Sequence, residues 1–500
     1  MRSVFFSFSI IAVCFLLFSC GHEFPAEKDI LQSGYPEDVA EIILSNCAIN
    51  TCHSGPESPE DLDLSSWNRL YDGSTFGAVL IPGSPRWSHF FQHINTFDDL
   101  GIRATPVMPP DSAGQPLNRE SVLRLRDWIE RGGNNREGQS FWAGQETRSE
   151  GKLFSLCAGS DLIAVTDIAT NLIMKMIPVG QYPGDLEAPH FIVLSPDKQH
   201  LYVTLIEGGL VEKYRTDNYA FEGRVTVGSA PSIIHLNQEG TRAVITHWNA
   251  SGAAAKLTMI NTTDMTIVEQ IKASGDFLSF PHGMEITHDF RTLYVGANEG
   301  NYYSKLEIDE NGFISEEKFP VDPVNSPVPF ANTLYKPYQL FLTPDETELF
   351  ISCNASGEVR VFDTATDTLK AVIAVGSGPR LMAYDPESNR LFVACRNQES
   401  FADQGSLQGC VSVIDVARLS FVKNIYRVGH RPHGVGIDVK RRRLYISSEN
   451  TGGVDELHHP LQGNSQPPGK YNVVDLNSLN VLRTMETEIA EFPNALIVSE

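Results

Sequence analysis

A small all-α domain followed by an all-β propeller of seven blades, closed by the C-terminal strand, is the fold class this 500-residue sequence predicts. Two observations predict it. From about residue 151 onward a proline recurs at Pro189, Pro231, Pro281, Pro337, Pro379 and Pro432, and thirteen residues after each comes a β-rich run, at Tyr202, Val244, Tyr294, Phe350, Phe392 and Tyr445. A repeat of roughly 40 to 60 residues holding four short strands has the size of one propeller blade. Ahead of the repeat, helix-period segments flank the run Cys47-Ala-Ile-Asn-Thr-Cys52-His53.

The first element is the N-terminus. Arg2 gives a positive end, and Val4 to Phe18 is an apolar run too short for a comfortable membrane span. It closes on Leu17-Phe18-Ser19-Cys20, which resembles a bacterial lipobox. That resemblance implies removal of residues 1–19 and lipidation of Cys20, with several acyl chains anchoring firmly where one would be marginal. A plain signal peptide or an uncleaved anchor is the alternative. Gly21 stands where Asp would signal retention at the inner membrane, so attachment to the outer membrane of a bacterial envelope is expected. Residues 20–34 read as a polar tether.

The helical domain is expected over 35–135. Glu37 to Asn46 places Val39, Ile42 and Ile43 on one helical face and delivers Cys47 at its end. Leu62-Asp63-Leu64, Ile81-Pro82-Gly83-Ser84-Pro85 and Val107-Met108-Pro109-Pro110 follow. A last helix begins at the N-cap Asn118, presents Val122, Leu125, Trp128 and Ile129, and stops at Gly132-Gly133. Two thiols with an imidazole directly after the second suit covalent haem attachment, usually as Cys-x-x-Cys-His. Here four residues separate the cysteines, and the cluster equally suits half a zinc site or a disulfide. The order of all these motifs resembles the planctomycete-type cytochrome c domain. That resemblance implies one covalent haem c on Cys47 and Cys52, with His53 and Met108 as axial iron ligands. Flanking prolines would stiffen the loop holding the weak thioether. Met108 packing only on the haem edge is the alternative, with His93 or His89 as rival ligands.

After a linker at 136–150, the propeller is expected over 151–500. Each repeat reads as an apolar strand, a tight turn such as Ser195-Pro196-Asp197, an alternating strand such as Leu349-Phe350-Ile351-Ser352, and a third strand ending in Asp363 or Asp415. A seventh proline, Pro493, precedes Ala495-Leu496-Ile497-Val498 at the end of the chain. Its missing partners are Leu153 to Cys157, Leu162 to Val165 and Ile173 to Gly180, so the last strand completes a blade begun at residue 152. Closure hides the edges an open array would expose. The Leu-Tyr-Val-Thr, Val-Ile-Asp and Val-Gly-x-x-Pro elements resemble the YVTN-type β-propeller family.

Long connections at Gln181–Ala188, Asn325–Lys336, Asn397–Gln408 and Asn450–Lys470 all fall on one face, which marks it as the working face. The residues opening the inner strands there are His190, Ser232, His282, Tyr338, Arg380, His433 and Asn494. His190, His282 and His433 suggest a copper or zinc site, with His247, His458 and His459 as further candidates. A hydrated channel mouth is the alternative, and Arg380 favours an anionic substrate over a bare cation. Cys157, Cys353 and Cys395 share another repeat position and read as small buried residues.

The formal charge of −23 argues against nucleic acid as a partner. Of eight cysteines, Cys14 leaves with the signal, Cys20 takes lipid, and Cys47 and Cys52 take haem. Cys157, Cys353, Cys395 and Cys410 remain, too few for a disulfide-built scaffold. Two functions stay open. One is an envelope electron-transfer protein or oxidoreductase subunit, with a redox partner protein and a small-molecule substrate at the propeller face. The other is a docking propeller whose haem acts as relay or sensor.

Overall fold

The computed structural model describes residues 26–49, 52–75, 77–112, 114–142, 151–182, 184–248, 255–272, 278–324, 334–400, 407–449 and 468–500. Cys14, Cys20, His458 and His459 lie outside them. No helix among the described residues is long and apolar enough to cross a membrane.

Among the described residues five α-helices precede the strands: α1 (Glu27–Ser33), α2 (Glu37–Asn46), α3 (Trp67–Leu70), α4 (His89–Ile94) and α5 (Arg119–Glu130). Both helices read from the sequence appear, and α5 begins at its expected cap. The Asn118 side chain accepts a hydrogen bond from Ser121 N at 2.9 Å, satisfying an otherwise orphaned amide of α5. Val39, Ile43, Val122, Leu125, Trp128 and Ile129 meet in one buried cluster with Tyr35, Trp67 and Phe91. Gly133 has a φ of 62°, and a Cβ there would sit 2.6 Å from Tyr71 Oη, so only glycine fits this turn. Its carbonyl accepts from Trp67 Nε1 at 2.7 Å and from Tyr71 Oη at 3.1 Å.

Two details go beyond the sequence reading. The tether contains α1, because Ile30 packs on the helical core and Gly34, with φ 78°, caps the helix in the left-handed region. The start of the linker is packed. Phe141 stacks on Tyr71 at 4.4 Å, and Trp142 is buried against the propeller core.

From residue 151 on, the described residues form seven antiparallel sheets, the blades of a seven-bladed propeller. Blade 1 has the order 493–499, 152–157, 162–167, 172–178, so the C-terminal strand is its innermost member and closes the ring. Second strands such as His200–Leu205 and Glu348–Cys353 are almost wholly buried, whereas outer strands such as Thr266–Lys272 and Ser420–Tyr426 face solvent. The Asp ending a third strand has a local task. Asp167, Asp363, Asp415 and Asp475 each accept from the backbone N–H three residues on, which fixes the turn into the outer strand.

A second device repeats between blades. The residues fifteen beyond each inner-strand proline include Thr204, Thr246, Ser352 and Ser447. Each hydroxyl accepts from a backbone N–H of its own inner strand at 2.8–3.1 Å. Each also donates to the carbonyl of the next blade's ring residue, Ser232, His282, Arg380 or Asn494, at 2.6–3.0 Å. One oxygen thus ties two blades. The residue before every one of the seven prolines has positive φ, from Ala188 through Phe492, so the chain enters each blade by the same sharp bend.

Two blades depart from the simple repeat. In blade 6 the connection read as a loop is partly strand, since Arg390–Ser400 and Leu407–Asp415 pair beyond a bulge as far as Ser400 opposite Leu407. In blade 7 the fourth strand is only Asn480–Val481, and Thr487–Glu491 pairs separately with the third strand. The helical unit lies against that extra strand. Arg86 approaches Glu491 at 3.8 Å, His89 Nε2 lies 3.2 Å from Glu488 Oε1, and Ile81 and Trp87 share a buried cluster with Ile489 and Ala490.

Candidate functional site

One cavity of about 850 Å³ in the helical unit is lined by Cys47, Cys52, His53 and Met108, together with His89 and His93. Apolar Ile49, Leu62, Leu64, Val79, Phe90 and Ile94 form much of the rest of its wall. The sequence separates Cys47 from Met108 by sixty residues, and the fold brings them to the same space. α2 ends at Asn46 and presents Cys47, and His53 N donates to the Cys47 carbonyl at 3.1 Å, holding the motif in a compact loop. Tyr35 Oη donates to the carbonyls of Leu64 and Ser66 at 3.2 and 3.1 Å, fixing the segment behind His53.

His53 Nδ1 lies 3.2 Å from the Leu62 carbonyl oxygen, so it carries the proton and Nε2 is the lone-pair nitrogen. Burial lowers the His53 pKa, which keeps the imidazole neutral as a metal ligand must be. Burial, and then the neighbouring Cys52, push the Cys47 thiol up to about 12. Both cysteines are free thiols.

The loop carrying Met108 is held by α4. Met108 N donates to the His93 carbonyl at 2.8 Å, and His93 Nδ1 lies 2.7 Å from the Pro106 carbonyl oxygen. His93 and His89 therefore do more than cover a surface helix. His93 braces the methionine loop, and His89 bridges to the propeller through Glu488.

The second candidate site is the ring at the propeller channel. His190, Ser232, His282, Tyr338, His433 and Asn494 are all buried. The His190 and His282 rings lie 5.4 Å apart, His282 and Tyr338 4.0 Å apart, and Tyr338 Oη is 3.1 Å from His433 Nε2. Arg380 stacks its guanidinium over Tyr338 at 4.4 Å. The expected three-histidine metal site does not form. Tyr338 stands between His282 and His433, and among the described residues no three His, Cys, Asp or Glu side chains gather as a metal ion requires. His247 cannot join it, because its Nδ1 meets the Ser229 carbonyl at 2.9 Å and its Nε2 the Thr258 hydroxyl at 2.8 Å. Burial lowers His190 to about 4, and His433 goes well below its ordinary value through burial and then Arg380, so these two imidazoles are neutral. Cys157, Cys353 and Cys395 are fully buried, as their repeat position suggested.

A second tier of this site escaped the sequence reading. The residues seventeen beyond the prolines are Ile206, Trp248, Asn298, Asn354, Arg396 and Glu449. Arg396 pairs with Glu449 at 2.5 Å in a buried ion pair, and Trp248 Nε1 donates to Asn298 Oδ1 at 3.1 Å. Glu449 is raised by burial, while Arg396, Arg380 and Arg431 act to lower it. The signal was available: the same offset in each repeat selects large polar residues in most blades.

Fold and sites together define a seven-bladed β-propeller with a helical unit packed on one side. No family model matches the chain. Among curated proteins, Antigen Lp49 of Leptospira interrogans serogroup Icterohaemorrhagiae serovar copenhageni (strain Fiocruz L1-130) is 21% identical over 297 residues, covering 57% of this chain. The match takes in 59% of that relative, so the chain spans about three fifths of its length. Similar solved structures include a Bacteroides fragilis NCTC 9343 protein assigned as a 6-phosphogluconolactonase, with 14% identity and a TM-score of 0.51 over 71% of this chain and 99% of that one. Dihydro-heme d1 dehydrogenase NirN in complex with DHE gives 13% identity and a TM-score of 0.47 over 92% and 98%. Hydrazine synthase of Kuenenia stuttgartiensis gives 18% and 0.45 over 60% and 81%. At these identities the likeness is one of fold.

Proposed function

We propose that this protein is an envelope-anchored c-type cytochrome whose propeller binds a substrate or partner and whose haem passes electrons. The observation that carries the reading is that Cys47, Cys52, His53 and Met108 line one and the same cavity. The residues fit the group. Two free thiols stand beside a neutral imidazole whose Nδ1 is already engaged, and metal-bound histidines commonly hold their second nitrogen in this way. The walls are apolar, and the volume lies in the usual range for a cofactor site of 300–1,000 Å³ or so. Bound haem would supply one-electron chemistry at a potential raised by thioether ligation. The chain's own residues bind it, shield it from water with Leu64, Phe90 and Ile94, and hold the Met108 loop through His93.

A second ligation is favoured by one observation. His93 also engages its Nδ1 with a carbonyl, so its Nε2 is presented as that of His53 is. Spectroscopy separates the two. With Met108 on the iron, the ferric protein shows the weak near-infrared band of sulfur ligation, and Met108→Ala removes it and lowers the potential. If His93→Ala alters the spectrum while Met108→Ala does not, the sixth ligand is His93.

For the propeller, the reading is a binding site for a small anion at the channel mouth. Arg396 is ion-paired with Glu449, Arg380 lies over the ring residue Tyr338, and Arg380 and Arg431 also act electrostatically on Glu449. An acidic chain carrying buried guanidinium groups at one mouth favours carboxylate- or phosphate-bearing ligands. Anchoring through Cys20 to a bacterial outer membrane belongs to the same reading, as does a redox partner protein.

A further inference from the structure

We propose that Cys395 and Cys410 form a cross-strand disulfide that locks the base of the blade 6 hairpin. The two residues are register partners on adjacent antiparallel strands, Arg390–Ser400 and Leu407–Asp415. Directly opposed residues in such a pair have Cα atoms about 4.5–5.5 Å apart. That lies inside the roughly 4.4–6.8 Å window a disulfide needs. The side chains already face each other, since the Cys395 thiol is within hydrogen-bonding reach of Cys410.

The surrounding chain is shaped to the two sulfurs. A Cβ on Gly376 would lie 2.5 Å from Cys410 Sγ and 3.0 Å from Cys395 Sγ, so the backbone entering blade 6 packs directly on both. Ser412 Oγ, 3.4 Å from Cys395 Sγ, accepts from Gly376 N at 2.9 Å and braces that contact. Cysteines at the same repeat position in other blades have no such partner. Cys157 faces Leu162, and Cys353 faces Glu358.

The bond would join strands immediately below the bulge and the outer hairpin, where Glu399 pairs Gln408 and Ser400 pairs Leu407. It would also fix the backbone next to Arg396, whose ion pair with Glu449 sits in the channel mouth. Formation proceeds by exchange with a protein or small-molecule disulfide, which is the oxidant. The thiolate of one cysteine attacks that disulfide, forming a mixed disulfide and releasing one thiol. The second cysteine then displaces the other thiol. Two thiols of the chain are oxidised, one external disulfide is reduced to two thiols, and no further electron acceptor is needed. Both residues are buried after folding, so the exchange belongs to the folding stage and the finished bond is shielded from reductants.

The test uses the full-length chain, reduced, refolded in a glutathione/glutathione-disulfide buffer, then denatured without reductant and alkylated with N-ethylmaleimide. The expected peptide map shows Cys395 and Cys410 unalkylated and linked, lighter by two hydrogens than the separate peptides, with Cys157 and Cys353 fully alkylated. Cys395→Ser should leave Cys410 alkylated, with the thermal transition retained as proof of folding. Cys395 and Cys410 both alkylated, each singly glutathionylated, or bonded elsewhere would overturn the proposal. The result does not depend on haem or on export. A second arm isolates the chain from the bacterial envelope without reductant, where the same link is expected.

Discussion

Replacing Ser447 by alanine removes an oxygen that two blades share. The hydroxyl accepts from Gly434 N at 2.8 Å within blade 7 and donates to the Asn494 carbonyl of the closing strand at 2.6 Å. Ser447 is fully buried, so water cannot replace either bond. Each deserted backbone group costs about 1 kcal/mol or somewhat more, giving a loss of about 2 kcal/mol. Unfolding entropy near 2.1 cal/mol/K per residue over roughly 350 residues converts that into a fall in Tm of about 3 °C. Ser447→Thr keeps the hydroxyl, as Thr204 and Thr246 do in their blades, and should stay near the wild type. Calorimetry on the three proteins decides. An alanine variant with unchanged Tm, or a threonine variant that loses as much as alanine, would refute the claim that this oxygen ties the closure.

Deleting residues 493–500 removes the innermost strand of blade 1 and exposes its partner 152–157, so the propeller should lose cooperative unfolding and become sensitive to protease; an unaltered melting curve would mean the ring does not close there. Stability should also fall with acid. His190 and His247 are each pushed down to about 4 by burial, whereas the unfolded chain takes up their protons near 6.5 or so. Between those values the unfolded state binds more protons, so stability is complete above about pH 6.5 and declines as pH falls toward 4 or so. His247→Gln should flatten that decline by up to one proton, about 1.4 kcal/mol per pH unit, and parallel Tm-versus-pH curves for the two proteins would contradict it.

The elements legible in the sequence were those whose cause is local. α2 and α5 each carry an apolar face, α5 adds the N-cap Asn118, and the structure starts them at Glu37 and Arg119. Closure by the C-terminal strand was legible because the repeat left one proline too many at the end and three strands too many at the start. What depends on contact between distant segments was not legible. α1 exists because Ile30 finds the helical core. The split outer edge of blade 7 lies against the helical unit through Glu488 and Glu491. The three-histidine site failed for a geometric reason: equivalent positions in a repeat bring residues to one channel, yet Tyr338 occupies the space between two of them. The tier of Arg396 and Glu449 was readable at a fixed offset, but its charge pairing needed the fold.

The most direct test of the account is the covalent haem content of the full-length chain, produced with a haem-c maturation system and extracted with acidified acetone. One haem per chain should remain with the protein, and Cys47→Ala or Cys52→Ala should each weaken or abolish that retention. A colourless product containing zinc, or haem that the solvent removes completely from the unaltered protein, would contradict it.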